Sequence, residues 1–301
     1  MERPRALLAD MNVHEATLNS IEEERPGGTN PIVIKPAPSW ASLKLKDLWE
    51  YRELLYFLTL RDFRVRYAQT ALGVLWAVIR PVSIMIMFST FFGNFARIPS
   101  DGLPYPLFTY SAILLWQLFA QTLTGASNSL VANQNLITKV YFPRLLIPLS
   151  VAVTSLVDFF IASAVLVGMM GYYQVLPTGH VLLLPLFVLL ALVAAMGVGL
   201  WFSALNVRYR DVGYGLPFAL QLWLFATPVI YPLSLIPESW RVWIGLNPMA
   251  SVVEGVRWAV LGTHHDHFAI MMELSVAVAA VLFVSGLYYF RRVEQTFADV
   301  M

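Results

Sequence analysis

Six long apolar runs divide the chain, at residues 72–95, 107–131, 145–173, 181–205, 215–236 and 268–290. A helix needs about 20 mostly apolar residues to cross roughly 30 Å of hydrocarbon. Strands of a membrane barrel would be about ten residues long with strict alternation, which these runs do not have. The pattern predicts an all-α membrane protein with six transmembrane helices, in a domain over residues 71–292.

Charge sits in the breaks between the runs. With the N-terminus inside, the cytoplasmic face receives Arg52, Arg61, Arg64 and Arg66 before the first run, Lys139, Arg144, Arg208 and Arg210 in loops, and Arg291 and Arg292 after the last. The outer face receives Arg97, Arg241 and Arg257. Lys and Arg gather on the cytoplasmic side of spanning helices, so this bias predicts that both termini are cytoplasmic. It also makes cytoplasmic loops of two short breaks, NQNLITKVYFPR at 133–144 and NVRYRD at 206–211.

Residues 41–70 mix Leu48, Leu55, Leu58 and Phe63 with Arg52, Arg61, Arg64 and Arg66. That mixture predicts an amphipathic helix at the cytoplasmic interface, with cations toward anionic lipid; a helix packed on protein fits the same pattern. Residues 237–263 are apolar but interrupted at Asn247-Pro248. Proline disfavours helix at the residue before it, and each half is too short to cross. Two short re-entrant helices in the outer face are predicted between the fifth and sixth spans. An external loop would account for the charges there but not for Trp240, Trp243 and Trp258. Residues 1–40, rich in proline and carrying Glu22, Glu23 and Glu24, have the composition of a disordered cytoplasmic tail. They lack the apolar core of a signal peptide. Residues 293–301 form a second, short cytoplasmic tail.

Composition narrows the chemistry. At 58% hydrophobic and 13% charged, the 301 residues do not describe an ordinary soluble domain. A net charge of +1 gives no reason to expect nucleic acid as a partner. The chain has no cysteine, which excludes disulfides and thiolate metal sites. THHDH at 263–267 offers metal-ligand types, but on an outer linker without a further ligand group, so no metal site is expected. An intramembrane glycosyltransferase would need paired carboxylates or a metal near one face. Asp158 stands alone in the middle of its run, and the chain is not expected to be an enzyme.

Five stretches in order, LRDFRVRYAQTALGVLWAVIRP (60–81), ITKVYFPR (137–144), NVRYRDVGYGLP (206–217), TPVIYP (227–232) and LNPMASVVEGVRWAVLG (246–262), carry a resemblance. The chain resembles the permease subunit of ABC exporters for surface polysaccharides, the O-antigen, capsule and teichoic-acid exporters of the type-2 ABC export family, over roughly residues 49–292. The resemblance implies a homodimer in the inner membrane, joined by two copies of a cytoplasmic ATPase and moving lipid-linked polysaccharide outward. The motifs do not separate substrates within the family, and a drug or small-lipid exporter of the same superfamily is the alternative. The chain contains no G-x-x-x-x-G-K-[ST] phosphate loop. ATP and Mg would therefore sit on the partner, with no cofactor bound by this chain.

The resemblance also implies roles. Residues 133–144 look like a coupling helix, with Leu136, Ile137, Val140, Tyr141 and Phe142 seated in the ATPase and Lys139 and Arg144 facing its acidic rim. An ordinary positively charged loop would use the cations but not the aromatics. Arg208, Arg210 and Asp211 would form a second contact, although Arg208 and Asp211 are also spaced as a helical ion pair. Phe88, Phe91, Phe92 and Phe95 fall roughly on one face at 3.6 residues per turn. They would line a sugar path by ring stacking, with Trp116 and, more weakly, Phe119, Phe159 and Phe160; lipid-facing phenylalanines would give the same pattern. Arg80, inside the first run, invites a functional reading: it would hold a phosphate, or else snorkel to the headgroups. Asp158 would pair with Arg80 or lie at the dimer seam. Asn247, Pro248, Glu254 and Arg257 would form an outer gate, with Glu254 and Arg257 also spaced for a structural pair. Gly168, Gly171, Gly197 and Gly199 allow close helix packing.

Overall fold

In the computed structural model, residues 49–68, 70–263 and 267–294 are described, and every regular element among them is helical. Helix α1 is Arg52–Tyr67. A 3₁₀ turn, Gly73–Leu75, leads into α2, Trp76–Phe88, which continues as a π-helix over Ser89–Phe95. Next come α3, Tyr105–Ala132, the short α4, Gln134–Lys139, and α5, Leu146–Tyr173. After the 3₁₀ turn Gly179–Leu183 follow α6, Leu184–Arg208, and α7, Asp211–Ala226. The short helices α8, Glu238–Ile244, and α9, Pro248–Val256, precede α10, Phe268–Glu294; α9 continues as a π-helix over Arg257–Leu261. The tail expected at 1–40, residues 295–301 and the centre of the THHDH tract lie outside the described residues.

Among the described residues, four helical stretches are long and apolar enough to cross a membrane: Gly73–Phe95, Leu146–Tyr173, Gly179–Arg208 and Phe268–Glu294. The other two predicted spans differ for separate reasons. Helix α3 has 28 residues, about 42 Å at 1.5 Å per residue, but Gln117, Gln121, Thr122, Thr124 and Asn128 dilute its apolarity. It tolerates them because it is the central helix, with 18 of its 28 residues buried. The run at 215–236 is not one helix. Helix α7 ends at Ala226 after 16 residues, because Pro228 forces Thr227 into an extended conformation (φ −102°, ψ 138°). Residues 237–263 do form two short helices. All nine residues of α9 are buried, wedged against α3, α6 and α10.

Helices α3 and α6 form the centre of the bundle, with α5 against α3, α10 against α6 and α2 along α3. Gly197 and Gly286 bring α6 and α10 into backbone contact: a Cβ on Gly197 would lie 2.7 Å from the Phe283 nitrogen. Gly199 packs against the Ala126 methyl of α3 (3.0 Å), whereas Gly168 and Gly171 face open space and join no helices. The segments assigned to one side by charge also gather at one end of the bundle. There Leu58 of α1, Ile137 of α4, Phe142, Ala204 of α6 and Phe290 of α10 share a buried cluster.

Candidate functional site

The hairpin between α3 and α5 is fixed at both ends. The α3 chain stops at Asn133, whose Nδ2 donates to the Ser129 carbonyl (2.8 Å) and whose Oδ1 accepts from Arg61 of α1 (2.7 Å). Helix α4 then makes less than two turns before Val140 turns extended and Pro143 sets up α5. Ile137 and Phe142 are each 5% exposed, turned into the chain's own core, with Leu136 partly buried beside them. Arg144 is held by α10, its backbone N–H donating to a Glu294 carboxylate oxygen (3.2 Å) and its guanidinium to the Glu294 carbonyl. The coupling set read from the sequence thus divides. Phe142, Leu136 and Arg144 hold the hairpin, and Lys139, Val140 and Tyr141 face outward, with Tyr141 92% exposed.

The break between α6 and α7 lies at the same end. Asn206 is buried and donates to the Ser127 carbonyl (3.2 Å) and Asn128 Oδ1 (2.9 Å) of α3. Arg208, Tyr209, Arg210 and Asp211 are exposed. Among the described residues no ion pair joins Arg208 to Asp211; the Arg208 guanidinium lies over the Tyr209 ring, 5.5 Å from its centre. Arg208 closes α6 and Asp211 opens α7, so each charge suits its own helix dipole.

Asp158, 5% exposed in α5, pairs with Arg66 and accepts from the Tyr67 hydroxyl (2.6 Å), both at the end of α1. Burial, and then the Asp158 carboxylate, push the Tyr67 phenol up from its ordinary value, so it remains the donor. Ser150 of α5 donates to Asp62 of α1 (2.8 Å). Helix α1 is therefore strapped along α5. Arg80 is not the Asp158 partner: it is exposed and, like Asp158, lines a cavity of about 660 Å³ bounded by α1, α2, α3 and α5.

The four phenylalanines of the first span do not share a face. Phe88, 6% exposed, and Phe92 pair edge-to-face (5.7 Å) and turn inward, whereas Phe91 and Phe95 pair (5.8 Å) and turn outward. The π-helix from Ser89 is the reason, since its wider turn changes the angular step on which a common face depends. Trp116 and Phe119 are core residues, with Phe119 against Trp223 of α7 (5.0 Å). Phe159 is buried and Phe160 exposed.

Glu254 and Arg257 form a pair (2.8 Å) with each side chain 1% exposed. Arg257 also donates to the carbonyls of Pro228 (2.7 Å) and Val229 (3.0 Å), and its guanidinium stands 3.5 Å over the Phe108 ring. Tyr105 donates to the next carbonyl, Ile230 (2.7 Å). Asn247 caps α9 by accepting from the Met249 N–H (3.1 Å), accepts from Trp223 (2.9 Å) and donates to Thr227 (2.9 Å). Pro248 is buried at the first turn of α9. Irregular backbone at membrane depth needs internal partners, and these side chains supply them to the break after α7. The outer-gate set is thus closed inside the chain. Tyr105, Tyr67 and the Gln117–Gln121 pair were missed from the sequence; the two glutamines, one turn apart in an apolar run, were the visible signal.

Among the described residues no three His, Asp or Glu side chains gather as a metal site. Residues 53–261 match the family model described as ABC-2 type transporter. The chain is similar to the O-antigen export system permease protein RfbA of Myxococcus xanthus, 33% identical over 255 residues, covering 83% of this chain and 96% of that one. It is 29% identical over 266 residues to the RfbA of Klebsiella pneumoniae, covering 86% and 100%. It is 26% identical over 243 residues to the polysialic acid transport protein KpsM of Escherichia coli, covering 79% and 92%.

Proposed function

This chain belongs to the ABC-2 type transporter family, and from that premise we propose that it is the membrane subunit of an exporter for lipid-linked surface polysaccharide. It sits in the inner membrane as six spans with both termini cytoplasmic, α3 and α7 being the second and fifth crossings, added to the four more apolar ones. Two copies form the channel, and two copies of a separate ATPase bind and hydrolyse ATP with Mg. Similarity over nearly the whole length of relatives named for O-antigen and polysialic acid transport supports the cargo class. The absence of a phosphate loop in the sequence supports a separate energy source.

The observation that carries the coupling reading is Tyr141. A 92% exposed aromatic stands on a hairpin whose two ends are anchored in the core by Ile137 and Phe142. A rigid tip transmits a push, and an aromatic beside Lys139 offers a partner surface both apolar contact and charge. Arg208, Arg210 and Asp211 supply a second exposed contact at the same end. Two apolar stripes support the dimer: Met87, Phe91 and Phe95 of the first span, and Tyr214, Phe218, Leu222 and Phe225 of α7 are all exposed. Facing copies across these stripes would enclose a path whose aromatic walls hold sugar rings weakly enough to slide.

The test is made on cells depleted of the protein. Total glycolipid is extracted, sized, and compared between inner pools and the surface. Long lipid-linked glycan accumulating inside, with loss from the surface, is expected. Unchanged surface glycan without an inner pool would overturn the polysaccharide reading and leave a small amphiphile as cargo.

A further inference from the structure

The cavity of about 660 Å³ between α1, α2, α3 and α5 has a one-sided chemistry. Its charged groups are Arg66, Arg80 and Asp158. Asp158 is consumed, paired with Arg66 and accepting from Tyr67. Arg80 makes no hydrogen bond or ion pair with any described residue. The two glutamines continue the direction set by Arg66. Its guanidinium donates to Gln121 Oε1 (3.4 Å), and Gln121 Nε2 donates to Gln117 Oε1 (3.3 Å). The donors left without a partner include the Arg80 guanidinium and the Gln117 amide N–H groups, and both call for an acceptor. An excess of donors around one unpaired guanidinium fits a phosphate, which accepts on several oxygens and meets Arg in a two-pronged geometry.

The surroundings specify what carries that phosphate. Arg80 lies one turn into α2 and lines the same cavity as Gln117 and Asp158, which stand about midway along α3 and α5. The chain leading to it, Leu72, Leu75 and Trp76, is apolar and about half exposed. A cavity that sets these polar groups beside the apolar Trp76, with exposed Leu72 and Leu75 just before it in the chain, suits an amphiphile. The volume lies in the range of small-molecule sites, roughly 300–1,000 Å³.

We propose that this cavity binds the phosphate of a lipid headgroup, with Arg80 as its cation and the Gln117 amide as a second donor. Arg66 and Tyr67 are positioning groups: Arg66 neutralises Asp158, the one anion that would repel the ligand, and Tyr67 holds it by a hydrogen bond. The binding stands on the cavity alone; that the lipid is the carrier of an exported glycan rests on the function proposed above.

The full-length chain, purified in detergent and stripped of lipid, would be titrated by native mass spectrometry. The probes are phosphatidylglycerol, a polyprenyl phosphate and, as the phosphate-free control, diacylglycerol. Wild type is expected to hold both phosphate lipids more tightly than diacylglycerol. Arg80→Gln should weaken them about tenfold or more, as expected for loss of a charge-assisted contact. Arg80→Lys should fall between, and Gln117→Leu should weaken them by a smaller factor. Arg64→Gln, on the exposed side of α1 outside the cavity, should bind as wild type. Preference for the polyprenyl phosphate would identify a glycan carrier as the source, and equal binding a bilayer phospholipid; either result upholds the phosphate site. Undiminished binding by both Arg80→Gln and Gln117→Leu, or diacylglycerol bound as tightly as the phosphate lipids, would overturn it. The glycolipid pools of depleted cells report separately on export, so failure of one reading does not mimic failure of the other.

Discussion

Tyr141 and Phe142 are neighbours with opposite fates, and the difference sets what each substitution does. Phe142 fills the core cluster under the hairpin, so Phe142→Ala should destabilise the fold by about 3–5 kcal/mol, seen as an earlier thermal transition in detergent. Tyr141 touches little of its own chain, and Tyr141→Ala should leave that transition within about 0.5 kcal/mol of wild type. It should instead lower surface glycan and the amount of ATPase recovered with the permease. Glu254 and Arg257 make the reverse case, a charged pair that no solvent reaches. Arg257→Met leaves the Glu254 carboxylate buried without its cation and should cost about 3–5 kcal/mol. Replacing both residues should cost less than Arg257→Met alone, because the uncompensated charge is gone while the Pro228 and Val229 carbonyls still lose their donor.

Among the elements, α6 and α10 are joined through glycine and α5 carries glycines that join nothing. Gly197→Ala would push a methyl into the α10 backbone, which cannot turn aside as a side chain can. The helices must part, at a cost of about 1–3 kcal/mol. Gly168→Ala and Gly171→Ala meet open space in mid-helix and should be neutral or slightly stabilising, by up to about 1 kcal/mol. Chemical or thermal unfolding of the four proteins in one detergent would separate these outcomes. Equal losses at Gly168 and Gly197 would mean that another surface packs on α5. Helix α1 illustrates a related point. Its arginines read as simple inside-positive charge, yet Arg61 and Arg66 are engaged with Asp62, Asn133 and Asp158, and Arg64 is left exposed. Charge bias reports a side of the membrane, and it is indifferent to which cation finds a partner.

For the whole molecule, burial is uneven in a way that asks for company. In the most apolar window of Gly73–Phe95 only 11% is buried, against 44% in Gly179–Arg208. Lipid or a second copy must cover the first span. The absence of native cysteine makes the question direct. A single cysteine at Phe91, combined with one at Leu222 on a second copy, should cross-link between copies in membranes under oxidation. A cysteine at Leu182, exposed on the 3₁₀ turn before α6, should not. No intermolecular product from Phe91 and Leu222 above the Leu182 background would sink the dimer across these stripes.

Four long apolar helices, the helical hairpin pair at 237–263 and the short charged breaks were legible in the sequence because hydrophobic length and proline placement are local properties. The family resemblance was legible for the same reason, being carried by contiguous motifs. The shared phenylalanine face failed because a π-turn changes the angular step, which residue identity alone did not reveal. The continuous fifth span failed because the run reads apolar across Pro228 whether or not the helix does. Only the tertiary structure decided which polar groups meet. Asp158 goes to Arg66 and Tyr67, over ninety residues away in the chain, and Arg257 goes to the carbonyls of a broken helix. A side chain inside a membrane protein takes whichever partner the packed backbone brings within about 3 Å, and sequence spacing carries no information about that beyond a helical turn.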